Sequence, residues 1–359
     1  MTIQQAIELE DFNHTNGMSQ TKAFYKQAEE RALKDYEVLC QTEGYQKCVA
    51  DGLNNVGSKH WMPKSEQTGI SWTDTTWNTH HGCQHYSEGC RFCYADSTTG
   101  PKSRAGFGIN GKPKIFGAGR ESAVGFDGAG RKWTVTLGRK ELAETNWEMP
   151  HRRNRRAIKN NSIVLNFSDS MGDWLEDHPT VQLLLPKLWK TIMATPHVHW
   201  LLCTKRAERI KSNLPKEWWD FKNGFPNVWL GVSIENAKYV HRWNDHLKHI
   251  PAACRFISYE PALGPIHDVL DYSNLDWGIV GGESFDNDEA RSFRKKQGMV
   301  FDHQWARDFK AGCDANGAAF HFKQGSNIRG KVSKTLDGEI LHNFPVPRLS
   351  APKQKELTL

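Results

Sequence analysis

The sequence lacks any unbroken run of about 18 apolar residues, the length that a helix needs to cross a membrane. Mean hydropathy is -0.66 and hydrophobic residues make up 38% of the chain, a composition typical of a water-soluble globular protein. The first residues, MTIQQAIELEDFNHTNG, also lack the basic start and apolar core of a secretory signal peptide. We therefore expect a cytoplasmic protein with no membrane partner.

A fourth cysteine is missing from the cysteine cluster of the chain, THHGCQHYSEGCRFCYAD at 79–96. This segment carries Cys83, Cys90 and Cys93, out of eight cysteines in the whole sequence. Disulfides are not expected in a reducing cytoplasm, so clustered thiols indicate metal binding or catalysis. A closed structural zinc site takes four ligands. Three thiolates on a 4Fe–4S cluster, by contrast, leave one iron open to a substrate or cosubstrate.

Three other interpretations of the same cluster stay open at this point. One of the neighbouring histidines, His80, His81 or His85, would complete a zinc site as the fourth ligand. A cysteine from a distant part of the chain would complete a ferredoxin-like cluster. In the third interpretation, the three cysteines are unrelated to each other and purely structural. The spacing alone does not decide among them.

Positive charge is in modest excess, with a formal net charge of +6 and a pI of about 8.8. This balance permits an anionic partner without requiring one. The densest basic stretch is HRRNRRAIK at 151–159, which is either a solvated helix face or a strip that contacts phosphates. The 14 tryptophans could stack on bases, although most are expected in the core. Nucleic acid is therefore a compatible partner.

The chain divides into three parts by composition. Residues 1–65 are expected to form a helical N-terminal extension, because good helix formers with helical apolar spacing fill 19–41. A domain at 66–330 contains an insertion at 98–131 that is rich in glycine, lysine and arginine and predicts loops and short hairpins. Residues 331–359 form a C-terminal tail.

Strand-like runs alternate with amphipathic helical stretches from about residue 131 onward, which predicts parallel βα units. Two of the stretches that we expect to be helical are TVQLLLPKLWKTIMATP and NAKYVHRWNDHLKHIP. Several runs are continuously apolar, as in strands that are covered on both faces. With one earlier strand near SWTDTTWN, the count is about eight, and we expect an α/β fold that forms a full or partial TIM-like (β/α) barrel. The later runs are KWTVTL (132–137), SIVLNFSDS (162–170), HVHWLLCTK (197–205), NVWLGVSIE (227–235), CRFISYEP (254–261), DWGIVGGES (276–284) and AAFHFKQG (318–325).

Polar side chains follow these apolar runs at the point where each predicted strand ends. In a parallel barrel the carboxyl ends of the strands surround one mouth, where active sites lie. We therefore expect these residues to face a common site together with the cysteine loop. They are Asp169, Ser170, Thr204, Lys205, Ser233, Glu235, Glu260, Glu283, Lys323 and Gln324.

The sequence resembles the radical S-adenosylmethionine (radical SAM) enzymes. Cys90-Arg91-Phe92-Cys93 matches the end of their C-x3-C-x-aromatic-C signature, whereas six residues rather than three separate Cys83 from Cys90. The chain is more similar still to a phage-encoded, three-cysteine family of radical SAM-like proteins, over roughly residues 70–326. The matching stretches are ISWTDTTWNTHHGCQHYSEGCRFCYA, FSDSMGDWL, LLCTKRAERI, PNVWLGVSIEN, RFISYEPALGPI, WGIVGGES and FHFKQG.

The resemblance implies a 4Fe–4S cluster on Cys83, Cys90 and Cys93, whose open iron chelates SAM. One electron, from a donor such as flavodoxin or ferredoxin, would cleave SAM to a 5′-deoxyadenosyl radical that abstracts hydrogen from an unactivated C–H bond. The Gly-Gly-Glu that contacts SAM in many of these enzymes follows their second strand. Here Gly281-Gly282-Glu283 follows the seventh predicted strand, so that role does not transfer by topology.

Roles for the strand-end residues are predicted from the same resemblance and from their position. Ser168, Asp169 and Ser170 are candidate SAM contacts. The candidates for binding a carboxylate or phosphate are Lys205, Arg206, Lys323 and Gln324. We expect Ser233, Glu235 and Asn236 to bind the cofactor ribose or the substrate. Glu260, Glu283 and Lys323 are the candidate catalytic residues.

The substrate is predicted only by class. The phage resemblance favours an isomerase that rearranges an amino-acid-modified thymine in phage DNA, inside an infected bacterial host. Such an enzyme would need the base flipped out of the duplex. The alternatives are a radical SAM lyase or repair enzyme, an RNA-modifying enzyme, or a non-catalytic nucleic-acid-binding protein stabilised by zinc or an iron–sulfur cluster.

Overall fold

The computed structural model describes residues 36, 38–39, 42–56, 60–93, 122–126, 132–136, 139–283, 288–326 and 333–349. Most of the helix predicted at 19–41 and residues 98–121 of the predicted insertion lie outside this set. In the described part, no helix is long and apolar enough to cross a membrane.

The described residues contain eleven strands, seven of which form one parallel sheet in the order β1-β6-β7-β8-β9-β10-β11. Each new strand is added beside the previous one, and the sheet curls into a half-barrel. The strands are β1 Thr75–Trp77, β2 His80–His81, β3 Ser122–Phe126, β4 Lys132–Thr136, β5 Lys140–Glu141, β6 Val164–Ser168, β7 Val198–Thr204, β8 Val228–Ser233, β9 Cys254–Tyr259, β10 Trp277–Gly281 and β11 Ala319–Gln324.

The prediction of about eight parallel strands is wrong by one. The run KWTVTL forms β4, but β4 pairs antiparallel with β3 in a separate hairpin. A stretch of alternating residues reveals a strand without revealing its partner, so this hairpin was counted into the barrel. The fold is therefore a partial rather than a closed TIM-like barrel in the part that the structure describes.

The sheet strands are buried on both faces, which explains their continuous apolar sequences. All six residues of β9 and all five of β10 are buried. The helices of the described residues are α1 Glu43–Asn54, α2 Glu144–Lys159, α3 Pro179–Met193, α4 Ile210–Asn213, α5 Asp288–Lys296 and α6 His303–Ala315. Contacts of α2 with β6 and β7 and of α6 with β10 and β11 show that these helices cover the sheet.

Of two stretches that were predicted to be helical, one forms a regular α-helix and the other does not. TVQLLLPKLWKTIMATP forms α3, as predicted. NAKYVHRWNDHLKHIP instead forms two short 3₁₀ turns around a π-helical turn, Arg242–His246. Arg242 reaches back from this segment to the end of β8, where it donates to the Ser233 carbonyl at 2.6 Å. This hydrogen bond towards the sheet accompanies the irregular backbone of the segment.

The basic stretch HRRNRRAIK lies in α2, but it is not a uniform charged face. Arg153 is buried and donates to Glu66 at 3.1 Å and to Asn166 at 2.8 Å. Arg156 pairs with the same Glu66 at 2.5 Å. Both guanidinium groups are therefore held by the protein itself, and Arg152, Arg155 and Lys159 are left as the candidates for phosphate contact.

The amino end of the parallel sheet is closed by aromatic rings. Trp229 and Trp277 pack edge to face with ring centroids 5.8 Å apart, and Trp72 packs against Trp277. Helix α1 lies at this end, since Tyr45 donates to the Pro196 carbonyl at 2.7 Å and meets His199 at 3.1 Å. The described part of the tail also packs here, through the backbone of His342 beside β11.

Candidate functional site

A pocket of about 260 Å³ lies at the carboxyl ends of the parallel strands. Nine of the twelve predicted site residues line it, and they come from six different strand ends or loops. These nine are Cys83, Cys90, Cys93, Asp169, Ser170, Ser233, Glu260, Glu283 and Lys323. The structure thus brings the three cysteines and most of the polar strand ends to one pocket.

A larger cavity, of about 870 Å³, lies at the opposite end of the sheet between α1 and the tail. The described residues that line it are mainly aliphatic, proline and amide residues, and none is an aspartate, glutamate, lysine or arginine. Ligand sites need a few converging polar groups as well as space. The smaller pocket at the carboxyl end is therefore the candidate functional site.

The cysteines occupy a loop that begins just after β2, which pairs with β5 outside the parallel sheet. Gly82 has a φ of 111°, a conformation that L side chains rarely adopt, and it turns the chain into the loop. Cys90 is buried, with its Sγ 3.4 Å from the Tyr86 amide and 3.8 Å from the Ser87 hydroxyl. Cys83 donates weakly to the Gln84 carbonyl at 3.4 Å. All three thiols border the same pocket.

The first part of the cysteine loop is held by the ends of β6 and β7. Arg206 donates to the Gln84 carbonyl at 3.1 Å, and the Gln84 amide donates to Glu176 at 2.9 Å. Arg206 also pairs with Asp173 at 2.8 Å. Burial raises the pKa of the Cys83 thiol above its ordinary value, Asp173 and Glu176 add to the shift, and Arg206 opposes it.

The second part of the loop rests on Glu235, which is completely buried. Its Oε1 accepts from the Ser87 hydroxyl at 2.6 Å and from Lys205 Nζ at 2.8 Å, and its Oε2 accepts from Arg242 at 2.9 Å. A Cβ on Gly89 would lie 2.7 Å from the Glu235 side chain, so the loop approaches this closely only with glycine there.

Glu283, a predicted catalytic residue, lines the pocket but is already engaged. Arg294 of α5 donates to both of its carboxylate oxygens, at 2.8 and 3.0 Å. The same guanidinium donates to the Glu88 carbonyl in the cysteine loop at 3.0 Å. The geometry therefore joins Glu283 to the loop through Arg294. Before it, Gly282 runs so close to Ser326 that a Cβ would lie 2.6 Å from the backbone nitrogen.

Lys323 and Glu260 form a second charged pair inside the pocket. Lys323 Nζ lies 2.8 Å from Glu260 Oε1, and Ser258 donates to Glu260 Oε2 at 3.2 Å. Both members of the pair border the open space of the pocket. A bound ligand could therefore meet an ammonium group and a carboxylate at neighbouring points.

Asp169 lies at the start of the loop after β6, with a positive φ of 56°. Its Oδ1 accepts from the Thr79 amide at 2.7 Å and the Thr79 hydroxyl at 3.0 Å, and Oδ2 has no hydrogen-bond partner among the described residues. Burial raises the pKa of Asp169 to about 7 despite these bonds from Thr79. Its buried side chain anchors the chain that leads to the cysteine loop.

Three predicted contacts, all in the described part of the chain, are not among the residues that line the pocket: Ser168, Glu235 and Asn236. Ser168 accepts from Asn166 at 3.1 Å on the other face of β6, because alternate residues of a strand point to opposite faces. Asn236 caps a 3₁₀ turn by accepting from the Lys238 amide, and it donates to Glu88. Glu235 and Asn236 thus support the cysteine loop.

A fourth cysteine, Cys203, borders the pocket and was missed in the sequence. Its Sγ lies 3.4 Å from the Ser233 hydroxyl, and burial raises the pKa of this thiol to about 11. Within HVHWLLCTK it resembles one more apolar residue. The period of two that brings His199, Leu201, Cys203 and Lys205 to one face of β7 is the signal that would have found it.

The side chains around the pocket differ in how well they suit a zinc ion and a 4Fe–4S cluster. Within the residues that the structure describes, no three His, Cys, Asp or Glu side chains gather closely enough to hold one metal ion. His80 is buried beside Thr79, with its Nδ1 2.7 Å from the Thr79 hydroxyl. A zinc ion draws four ligands to one point, whereas each thiolate of a 4Fe–4S cluster binds a different iron. Three thiols spread around one pocket fit the cluster better.

The chain matches one protein family over most of its length. Residues 67–345 match the family described as Protein of unknown function (DUF5131). The protein belongs to this family. The match begins just before β1 and extends past β11 into the tail, so it contains the whole parallel sheet, the cysteine loop and the pocket. No curated protein and no solved structure matches the chain.

Proposed function

We propose that this DUF5131 protein is a radical SAM enzyme that carries a 4Fe–4S cluster on Cys83, Cys90 and Cys93. The observation that supports this most is that three cysteines of one loop border a single pocket at the carboxyl end of a parallel half-barrel. Active sites of parallel barrels lie at that end. The loop supplies three thiols, which would leave one iron of the cluster without a protein ligand. Cys203, the fourth cysteine at the pocket, lies on β7 with its Sγ 3.4 Å from the Ser233 hydroxyl.

When bound, the cluster and SAM would supply one-electron cleavage of SAM and hydrogen abstraction, which is chemistry that belongs to the cofactors. The residues of the chain have other tasks. Lys323 and Glu260 offer an ammonium and a carboxylate to charged groups of a ligand, 2.8 Å apart. Ser170 and Ser233 border the same space with hydroxyl groups. The cysteine loop forms part of the wall of the pocket.

For the substrate, we propose an amino-acid-modified thymine in phage DNA and an isomerase reaction. The resemblance to the phage-encoded three-cysteine family and the net charge of +6 support this choice. Nucleoside mass spectrometry of phage DNA with and without the gene tests it, and identical profiles would refute the DNA-modifying role.

The radical SAM proposal is tested by anaerobic purification and reconstitution with iron and sulfide. We expect a visible iron–sulfur absorbance, about four irons per chain, and release of 5′-deoxyadenosine after addition of SAM and dithionite. Changing Cys83, Cys90 or Cys93 to alanine removes one ligand, so each variant should lose cluster and SAM cleavage together.

Cys48→Ser is the matched control, because Cys48 is also a buried cysteine but lies in α1, hydrogen-bonded to Asn161 at 2.9 Å. Serine keeps that bond, and the variant should retain full cluster content. A colourless protein with stoichiometric zinc would refute the proposal, as would SAM cleavage that persists in the Cys90→Ala variant. A cluster without SAM cleavage would favour the non-catalytic alternative instead.

A further inference from the structure

The end of β7 brings a buried cation to the cysteine loop. Lys205 Nζ and the Ser87 hydroxyl both contact the same oxygen, Glu235 Oε1, at 2.8 and 2.6 Å. The Ser87 hydroxyl in turn lies 3.8 Å from Cys90 Sγ. Lys205 therefore reaches the neighbourhood of Cys90 through a single shared oxygen atom, and both residues border the pocket.

Arg242 completes a group of three charges, the Lys205–Glu235–Arg242 triad. The side chains of Arg242 and Glu235 are completely buried, and Lys205 is 20% exposed. Burial by itself lowers the pKa of Lys205, but Glu235 and Cys90 outweigh it and raise that pKa. Burial by itself raises the pKa of Glu235, but Lys205 and Arg242 outweigh it and lower that pKa. All three groups are thus charged, and the triad has one net positive charge.

The surroundings of Cys83 are different. Arg206 pairs with Asp173 at 2.8 Å, and Arg139 pairs with Glu176. Each cation near Cys83 is therefore matched by a carboxylate, and the group has no net charge. Of these two groups, only the triad, which lies beside Cys90, has a net charge.

A net positive charge beside a metal ligand changes the energy of adding an electron. In a buried site such a charge is poorly screened, so it stabilises the more negative, reduced form of a cluster. Charges and hydrogen bonds around the ligands are known determinants of iron–sulfur reduction potentials. The triad would exert this influence through its charge and through the contact of Glu235 with Ser87, which lies beside Cys90.

We propose that the Lys205–Glu235–Arg242 triad is a potential-setting element, which holds Cys90 in place through Ser87 and makes the bound cluster easier to reduce. This inference rests on the proposed function, because it requires the cluster. It assigns Lys205, predicted to bind a carboxylate or phosphate, and Glu235, predicted to bind ribose or substrate, as positioning residues. Glu235 is not among the residues that line the pocket, whereas Lys205 borders it.

The test is an EPR-monitored redox titration of the reconstituted protein. Lys205→Met keeps the length of the side chain but removes a positive charge, so the midpoint potential should fall. Glu235→Gln keeps the oxygen that accepts from Ser87 but removes a negative charge, so the midpoint potential should rise. Opposite shifts from the two partners of one ion pair are not expected from local structural damage, which would act in the same direction in both.

Two controls complete the experiment. Lys205→Arg restores the charge and should return the potential towards the wild-type value. Lys187→Met removes a lysine that pairs with Glu141 and Glu144 on the surface, and it should leave the potential unchanged. Shifts of the same sign, or none, in Lys205→Met and Glu235→Gln would overturn the inference while the cluster proposal stands. Failure of the wild-type protein to take up a cluster would refute the proposed function itself.

Discussion

At the amino end of the parallel sheet aromatic rings pack edge to face, whereas at the carboxyl end charged side chains pair beneath the cysteine loop. Trp229 and Trp277 are completely buried at the amino end. At the carboxyl end, Glu235, Arg242 and Arg294 are also buried, but each has a charged partner. The two ends of the same strands are thus stabilised by different interactions.

This difference separates the residues that stabilise the fold from those that shape the candidate site. Burial of apolar rings contributes favourable free energy directly. Buried ion pairs contribute little net stability, because desolvation offsets most of the attraction, but losing one partner is costly. A protein that places its ion pairs around one loop therefore fixes the geometry of that loop. Substitutions at the amino end should affect folding, and those at the carboxyl end should affect the site.

The largest loss of stability is expected for Trp229→Ala at the amino end. Removing this completely buried indole leaves a cavity beside Trp277 and His199, which should cost about 3–5 kcal/mol in free energy of unfolding. Denaturation followed by far-UV circular dichroism measures it. Iron content per folded molecule should stay at the wild-type level, and a proportionate loss of iron would contradict the separation of the two ends.

Trp219→Ala is the matched control, since Trp219 is 37% exposed. Its stability should remain close to that of the wild type.

At the carboxyl end, Arg294→Met should cost about 3 kcal/mol, because it leaves the Glu283 carboxylate buried without its partner. It also removes the hydrogen bond to the Glu88 carbonyl, so the variant should retain less cluster after gel filtration than Trp229→Ala. Arg307→Met breaks a surface pair with Asp337 and should change neither property. Full cluster retention in Arg294→Met would show that this pair does not hold the loop.

The sequence predicts the strands of the sheet better than it predicts their partners. HVHWLLCTK and DWGIVGGES correspond to β7 and β10 because buried parallel strands are continuously apolar. KWTVTL is equally strand-like, yet it pairs outside the sheet with a segment of the glycine-rich insertion. Pairing depends on contacts between distant segments, and the periodicity of one segment contains no such information.

The candidate site was predictable in location but not in its internal connections. The three cysteines and most polar strand ends meet at one pocket, as the rule for parallel strands requires. Glu283 looked available in the sequence because Arg294 lies eleven positions away in another element. Glu235 likewise looked like a ligand-binding group, since neither Lys205 nor Arg242 is recognisable as its partner before folding.

A third prediction concerns the pH dependence of stability at the carboxyl end. Burial raises the pKa of Asp169 to about 7 in the folded protein. Between about pH 5.5 and 7.5 the Asp169 carboxyl group is therefore ionised in the unfolded chain, whereas in the folded protein it keeps its proton until near neutrality. Wild-type stability should therefore fall as pH rises through this range. Asp169→Asn cannot ionise, so its stability relative to wild type should increase by roughly 2 kcal/mol over the same range.

Denaturation curves of both proteins at a series of pH values measure this difference. Asparagine also tolerates the positive φ at this position and keeps the oxygen that accepts from Thr79. A difference between the two proteins that is constant with pH would show that Asp169 is ionised throughout, contrary to its burial.

The smallest effect has the opposite sign and belongs to the amino end. Burial lowers the pKa of His199 to about 3, with His197 adding to the shift. As pH falls from about 7 to 5.5, the unfolded chain binds a proton at this histidine and the folded protein does not, so acidification destabilises the wild type. His199→Gln removes this contribution, and its stability relative to wild type should increase by roughly 1 kcal/mol as the pH is lowered. Slopes of the same sign in the Asp169 and His199 variants would contradict the burial of both groups in their neutral forms.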